Sequence, residues 1–179
     1  IYCLYKSISV CIIFYMYKQI IDCRKNSRYD VEKEEIIMIG ILLISHGPLA
    51  QGLKETYCFF NDESDFLDAL CLQEKDDPAD FHKKLSLKCD ELDQGDGILI
   101  FCDIPGGSPA NQAQILQAQG KHALHIISGC NLIMVLEAYI SRNFMDLDAL
   151  CKHCIAKGRE SIMELQLSNV DEADEDAEF

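Results

Sequence analysis

Three stretches of this chain are apolar almost without a break, and each stops at a short loop containing glycine. They are Met38–Ser45, Ile98–Cys102 and Ala123–Ser128. The loops that follow read Ser45-His46-Gly47, Asp103-Ile104-Pro105-Gly106-Gly107-Ser108 and Ser128-Gly129-Cys130-Asn131. Short runs of this kind, without polar alternation, suit strands buried on both faces. Asp65–Leu72 is a fourth strand candidate. Between them the pattern is helical. Strands alternating with helices predict an α/β fold: an open, mainly parallel sheet of about four strands with helices on both faces. Its crossovers should be right-handed. Ligands of such sheets bind beyond the carboxyl ends of the strands, so the three loops should share one functional rim.

The helices can be placed by caps and stripes. Pro48–Phe60 begins with a proline in its first turn. Asp77 caps a helix that opens at Pro78, with Phe81, Leu85, Cys89 and Leu92 on one face. Pro109–Gln119 and Leu132–Ser141 follow the second and third loops. A last helix is expected over Leu147–Leu165, then a short edge strand at Gln166–Val170. Six acids in nine residues make Asp171–Phe179 an expected disordered, solvated tail.

Residues 1–37 differ from the rest. They hold five of the seven tyrosines and eight isoleucines, but no Ala, Gly or Pro. We expect a leader outside the functional domain, which would then span residues 38–167, with 168–179 as the acidic tail. The apolar stretch Ser7–Tyr17 is shorter than the roughly 20 residues a membrane-spanning helix needs. No direct membrane insertion is expected. The formal net charge of -14 also speaks against a nucleic-acid partner, which needs clustered Lys and Arg. Ten cysteines sit mostly inside apolar runs, where a free thiol acts as a small hydrophobe. With no signal-peptide pattern, this suits a reducing cytoplasm. Cys151 and Cys154 form a lone C-x-x-C without partner ligands at zinc spacing, so no metal site is expected.

His46 is the candidate nucleophile. A neutral imidazole can attack through one ring nitrogen if a carboxylate holds the proton on the other. Asp103, at the matching strand end, can do this. Gly106-Gly107-Ser108-Pro109 can cradle an anion: glycines admit backbone N–H groups, Ser108 can cap, and Pro109 can open a helix whose N-terminus favours negative charge. The chain lacks both the nucleotide P-loop pattern and the G-x-G-x-x-G dinucleotide fingerprint. The loop also lacks Lys and Arg, which suits a carrier that must give its group away. His82 and His153 fall off their apolar stripes and read as solvated. His122 opens a strand, and His125 reads as a packed strand residue.

The segments GILLISHGPLAQGL, GILIFCDIPGGSPANQA and ISGCNLIMVLEA, in this order, resemble the enzyme IIA component of the mannose (mannose/fructose/sorbose) family of the bacterial sugar phosphotransferase system. The resemblance runs from Met38 to about Leu167. It implies a cytoplasmic phosphotransferase without a cofactor. His46 would take a phosphoryl group from the carrier HPr and pass it to a IIB component on a separate chain, serving the IIC/IID membrane components indirectly. Asp103 would hold the inner ring nitrogen. Ser45, Gly106, Gly107, Ser108 and Asn131 would bind the phosphate. The family is usually a homodimer that exchanges a C-terminal edge strand, the role open to Gln166–Val170. Pro105, Ala110 and Ile133 depart from the residues the family often has around the rim. Two other readings compete. One is the phosphotransfer subunit of a phosphoenolpyruvate-dependent dihydroxyacetone kinase. The other is a regulatory or binding module of the same fold.

Overall fold

A period of two along the strands decides how the sheet is covered. The structure is a computed structural model that describes residues 38–61 and 64–165. Its first strand, β1, is Gly40–His46, followed by helix α1, Leu49–Phe60. Then come β2 (Leu67–Leu72), α2 (Pro78–Leu92), β3 (Ile98–Cys102), α3 (Ser108–Gln119), β4 (Leu124–Ser128), α4 (Leu132–Ser141) and α5 (Leu147–Glu160). The strands form one sheet in the order β2-β1-β3-β4, and every pairing is parallel.

Leu42, Ile44, Ile98, Ile100 and Cys102 point to one face. There they pack with Phe81, Leu85, Cys89 and Leu92 of α2 and Ala113 and Leu116 of α3 in one buried cluster. The expected stripe on α2 is therefore its core face. The other face is covered by α1, α4 and α5. Ile41, Leu43, Leu99 and Phe101 are buried too, which explains why the central strands read as unbroken apolar runs. Each fully buried Leu or Ile contributes about 1.5–3 kcal/mol.

The order 2-1-3-4 places a switch point between β1 and β3. The chain leaves β1 towards β2 on one side, then returns to build β3 and β4 on the other. Helices diverge there and leave a crevice at the carboxyl ends. Register pairs Ile44 with Cys102 and His46 with Leu72, so His46 and Asp103 emerge beside each other.

Several sequence expectations need correction. His46 is the last residue of β1, not a loop residue. Asp65 and Phe66 precede β2 instead of opening it. Phe66 has φ 55°, and the Asp65 carbonyl accepts from Arg142 Nη2 at 2.8 Å, outside the ladder. Ser108 is not a cap: α3 begins at Ser108, and Gly107 holds the cap position. The last helix ends at Glu160, five residues before Leu165. Gly158 O is taken by Ser161 Oγ at 2.8 Å and Asn131 Nδ2 at 3.1 Å, while Ile162 N–H turns to Arg159 O. The next α-helical bond would need that Gly158 carbonyl. His153 is not merely solvated, since its Nε2 pairs with Glu137 at 2.9 Å. His122 lies before β4, held between Asp90 and Asp93 at 2.7 Å each. Cys151 and Cys154 are buried on α5. The leader, the Gln166–Val170 strand and the acidic tail lie outside the described residues.

Candidate functional site

The site grows from the two central strand ends. His46 Nδ1 and Asp103 Oδ2 are 2.8 Å apart, and the same oxygen accepts the backbone N–H of His46 at 2.9 Å. Asp103 Oδ1 accepts from Ile104 N–H at 2.8 Å. Burial by itself would raise the Asp103 pKa. The hydrogen bonds from His46 backbone and ring and from Ile104 outweigh it and hold the carboxyl below its ordinary value. An ionised carboxylate only accepts. In a neutral ring, Nδ1 therefore carries the proton and Nε2 the lone pair. The His46 side chain is 42% exposed and that of Asp103 11%, so the carboxylate is sheltered while the imidazole meets solvent.

Gly107 forms the wall beside the ring. A Cβ at this position would lie 2.5 Å from His46 Cε1 and 3.3 Å from Nε2. Its φ of -71° suits any residue, so closeness to the imidazole is what requires glycine here. Gly106, with φ 73°, makes the left-handed turn before it. Asn111 Nδ2 braces that turn by donating to Gly106 O at 3.1 Å. The sequence reading gave Asn111 no role, although its place in the first turn of α3 was a usable signal. Ser108 is exposed at the start of α3. The first N–H groups of a helix have no acceptor within it; Pro109 has none to offer, so Ser108 and Ala110 present theirs. The positive end of the helix dipole adds to them.

The third loop is anchored to the second. Gly129 N–H donates to Asp103 O at 3.0 Å and Cys130 N–H to Cys102 O at 3.2 Å. Two expected phosphate ligands are occupied elsewhere, however. Asn131 caps α4 through Met134 N–H at 3.1 Å, and its amide nitrogen donates to Gly158 O. Ser45 is only 1% exposed. Its hydroxyl accepts from Ala50 N–H at 2.8 Å and donates to Gly47 O at 3.1 Å. Neither side chain faces the imidazole's free nitrogen with an unused group. His46, Asp103, Gly106, Gly107 and Ser108 do come together.

Other nucleophiles near the rim are quenched. Burial pushes the Cys102 thiol up to about 11 and the Cys130 thiol up to about 12; such thiols stay protonated and unreactive. Two apolar side chains just after the ends of β1 and β3 meet solvent: Leu49 is 48% and Ile104 54% exposed.

The model of the PTS (phosphotransferase system) fructose IIA component matches residues 40–155, more than half of the chain. The chain belongs to this family. Solved structures agree in fold. A phosphotransferase system component EIIA from Streptococcus agalactiae shares 23% identity at a TM-score of 0.66, covering 71% of this chain and 97% of its own. The mannose/sorbose specific IIA subunit from Enterococcus faecalis gives 22% and 0.65, covering 74% and 98%. The PTS IIA protein associated with the fucose utilization operon of Streptococcus pneumoniae gives 26% and 0.61, covering 70% and 91%. Family membership makes this IIA chain a phosphotransfer component of a sugar phosphotransferase system. Among the described residues, no helix of the IIA chain is long and apolar enough to cross a membrane.

Proposed function

We propose that the protein is a cytoplasmic histidine phosphocarrier that accepts a phosphoryl group from phospho-HPr on His46 Nε2 and delivers it to a separate IIB component. The single observation carrying this reading is the 2.8 Å His46–Asp103 pair, with the outer ring nitrogen free at an exposed rim. On acceptance the donor P–N bond breaks as the P–Nε2 bond forms, and on delivery the P–Nε2 bond breaks as the bond to the acceptor forms. The ring becomes cationic, and Asp103 balances that charge while keeping the proton on Nδ1. Developing charge on the phosphoryl oxygens meets the N-terminus of α3 and the Ser108 hydroxyl. Such transfer depends on positioning and preset dipoles, with little covalent work for the protein. Among the phosphate ligands read from sequence, Gly106, Gly107 and Ser108 remain in this proposal, while Ser45 and Asn131 leave it.

The phosphotransfer domain is residues 38–167 in this reading, and IIC/IID proteins are served only through IIB. The family match favours it over a dihydroxyacetone kinase subunit or a regulatory module. The test is direct. Incubation with phosphoenolpyruvate, enzyme I and HPr is expected to place one acid-labile, base-stable phosphate on the protein, and none on His46→Ala. Absence of label on the wild type, or label that survives the substitution, defeats the proposal.

A further inference from the structure

Ser45 sits one residue before His46, yet its hydroxyl points into the molecule. Alternation along β1 sends Ser45 to the same face as Ile41 and Leu43, beneath α1. There it bridges four residues of backbone. It accepts the Ala50 N–H at 2.8 Å and donates to the Gly47 carbonyl at 3.1 Å. Ala50 is the second residue of α1, and the cap residue Pro48 offers no side-chain acceptor. Its N–H is one of the helix's orphan donors. Ser45 is therefore a displaced cap that joins β1, the left-handed Gly47 (φ 55°) and α1 into one closed turn. On its other side, Gly47 N–H is fixed to Leu72 O at 2.9 Å.

We infer that Ser45 is a positioning residue: its buried hydroxyl sets the backbone turn that aims His46 Nδ1 at Asp103 and Nε2 at the rim. The inference rests on the phosphocarrier reading for its kinetic consequence but not for its structural one. The His46 imidazole is bounded by Asp103 on one side and Gly107 on another, and both belong to the β3–α3 loop. Nothing in that loop restrains the backbone after His46; Ser45 does. The gap beside Ser45, lined by Leu43, Leu49, Ala50, Leu53, Phe101 and Cys130, has no room for a water molecule. Loss of the hydroxyl would thus leave the buried Ala50 N–H without its partner and cut the tie to Gly47 O.

The experiment compares Ser45→Ala, Ser45→Val and Ser45→Thr in the full chain. The last two have nearly the same shape and differ by the hydroxyl. Each is assayed well below its own melting temperature. In the wild type and Ser45→Thr, imidazole NMR is expected to show one tautomer with a proton on Nδ1 in slow exchange. In Ser45→Ala and Ser45→Val that proton signal broadens or disappears. Phosphoryl acceptance at saturating donor is expected to fall about tenfold in both, equivalent to about 1.4 kcal/mol, with little change in half-saturating donor concentration, and Thr restores it. Wild-type ring signals and rate in Ser45→Ala or Ser45→Val overturn the inference, as does failure of Thr to differ from Val. If the wild type takes up no phosphate, the phosphocarrier reading falls, and the ring signals still decide the role of Ser45.

Discussion

One oxygen of Asp103 accepts twice from the same residue, from the backbone and from the ring of His46. This ties the backbone and the ring of His46 to a single acceptor. Asp103→Asn keeps an acceptor of the same shape but removes the charge that balances the ring during transfer. Hydrogen bonds to charged groups exceed neutral ones by about 1–2 kcal/mol, so transfer should slow by about 5- to 30-fold. A rapid-quench assay of phosphoryl acceptance checks this. Stability gives an independent reading. The Asp103 carboxyl is held below its ordinary value of 3.8. Its stabilisation is complete above that value and is lost as pH falls through the lower folded one. Wild type should therefore melt above Asp103→Asn at neutral pH, and the gap should close in acid below about pH 4. A gap that stays constant into acid would show that the charge is not involved. The pair was legible in sequence because both residues end apolar runs. The burial of Ser45 was not legible, because both faces of β1 are buried and alternation alone does not tell the position that stays covered from the one that emerges.

Helix and loop boundaries carry the second layer of control. Asn131 caps α4 and, through Gly158 O, also stops α5. A sequence motif that looked like phosphate chemistry is thus a tie between two helices. The sequence could not show this, because Gly158 lies 27 residues away and its carbonyl is claimed by a side chain from another loop. Local periodicity continued the helix to Leu165 for the same reason: Ile162 and Leu165 keep the stripe, but the bond that would extend it is already used. Asn131→Ala should cost about 1–2 kcal/mol, the usual cost of losing a cap with a second buried bond. Urea unfolding measures this. Phosphoryl acceptance should stay within about threefold of wild type, less than the loss of a bond made only in the transition state. A large kinetic loss with unchanged stability would return Asn131 to the phosphate site. The four strands and five helices were legible because each carries its own pattern; the helix ends depend on partners distant in sequence.

At the scale of the molecule, the sheet is open on the outer side of β4. Among the described residues no strand pairs there. Two grooves flank that edge. One, of about 330 Å³, is lined by Ile127, Ser128, Ile155, Gly158, Arg159 and Ile162 among others. The other, of about 240 Å³, is lined by Gln114, Gln117, His125 and Ile126 among others. An unpaired strand edge with a groove on either side is a template for another strand. The described chain reaches Leu165 just after Ile162, which lines the first groove. The exchanged dimer that the family resemblance implies would fill this edge from a second copy, and residues 166–170, which lie outside the described residues, are the segment the sequence expectation names for it. The outcome follows from main-chain pairing: removal of residues 166–179 should turn a dimer into a monomer in sedimentation equilibrium, while a cut after Val170 that removes only the acidic tail should leave the dimer intact. Both cuts spare β1, β3 and the His46–Asp103 pair, so the core fold should persist by circular dichroism. A wild-type chain that sediments as a monomer at all concentrations, or a dimer that survives the longer cut, would rule out the exchanged strand. The contrast between the two cuts matters because the tail carries six acids in nine residues. Its removal lowers the self-repulsion of a chain with net charge -14 and should tighten the dimer at low salt. The loss expected from the longer cut therefore cannot be an effect of charge.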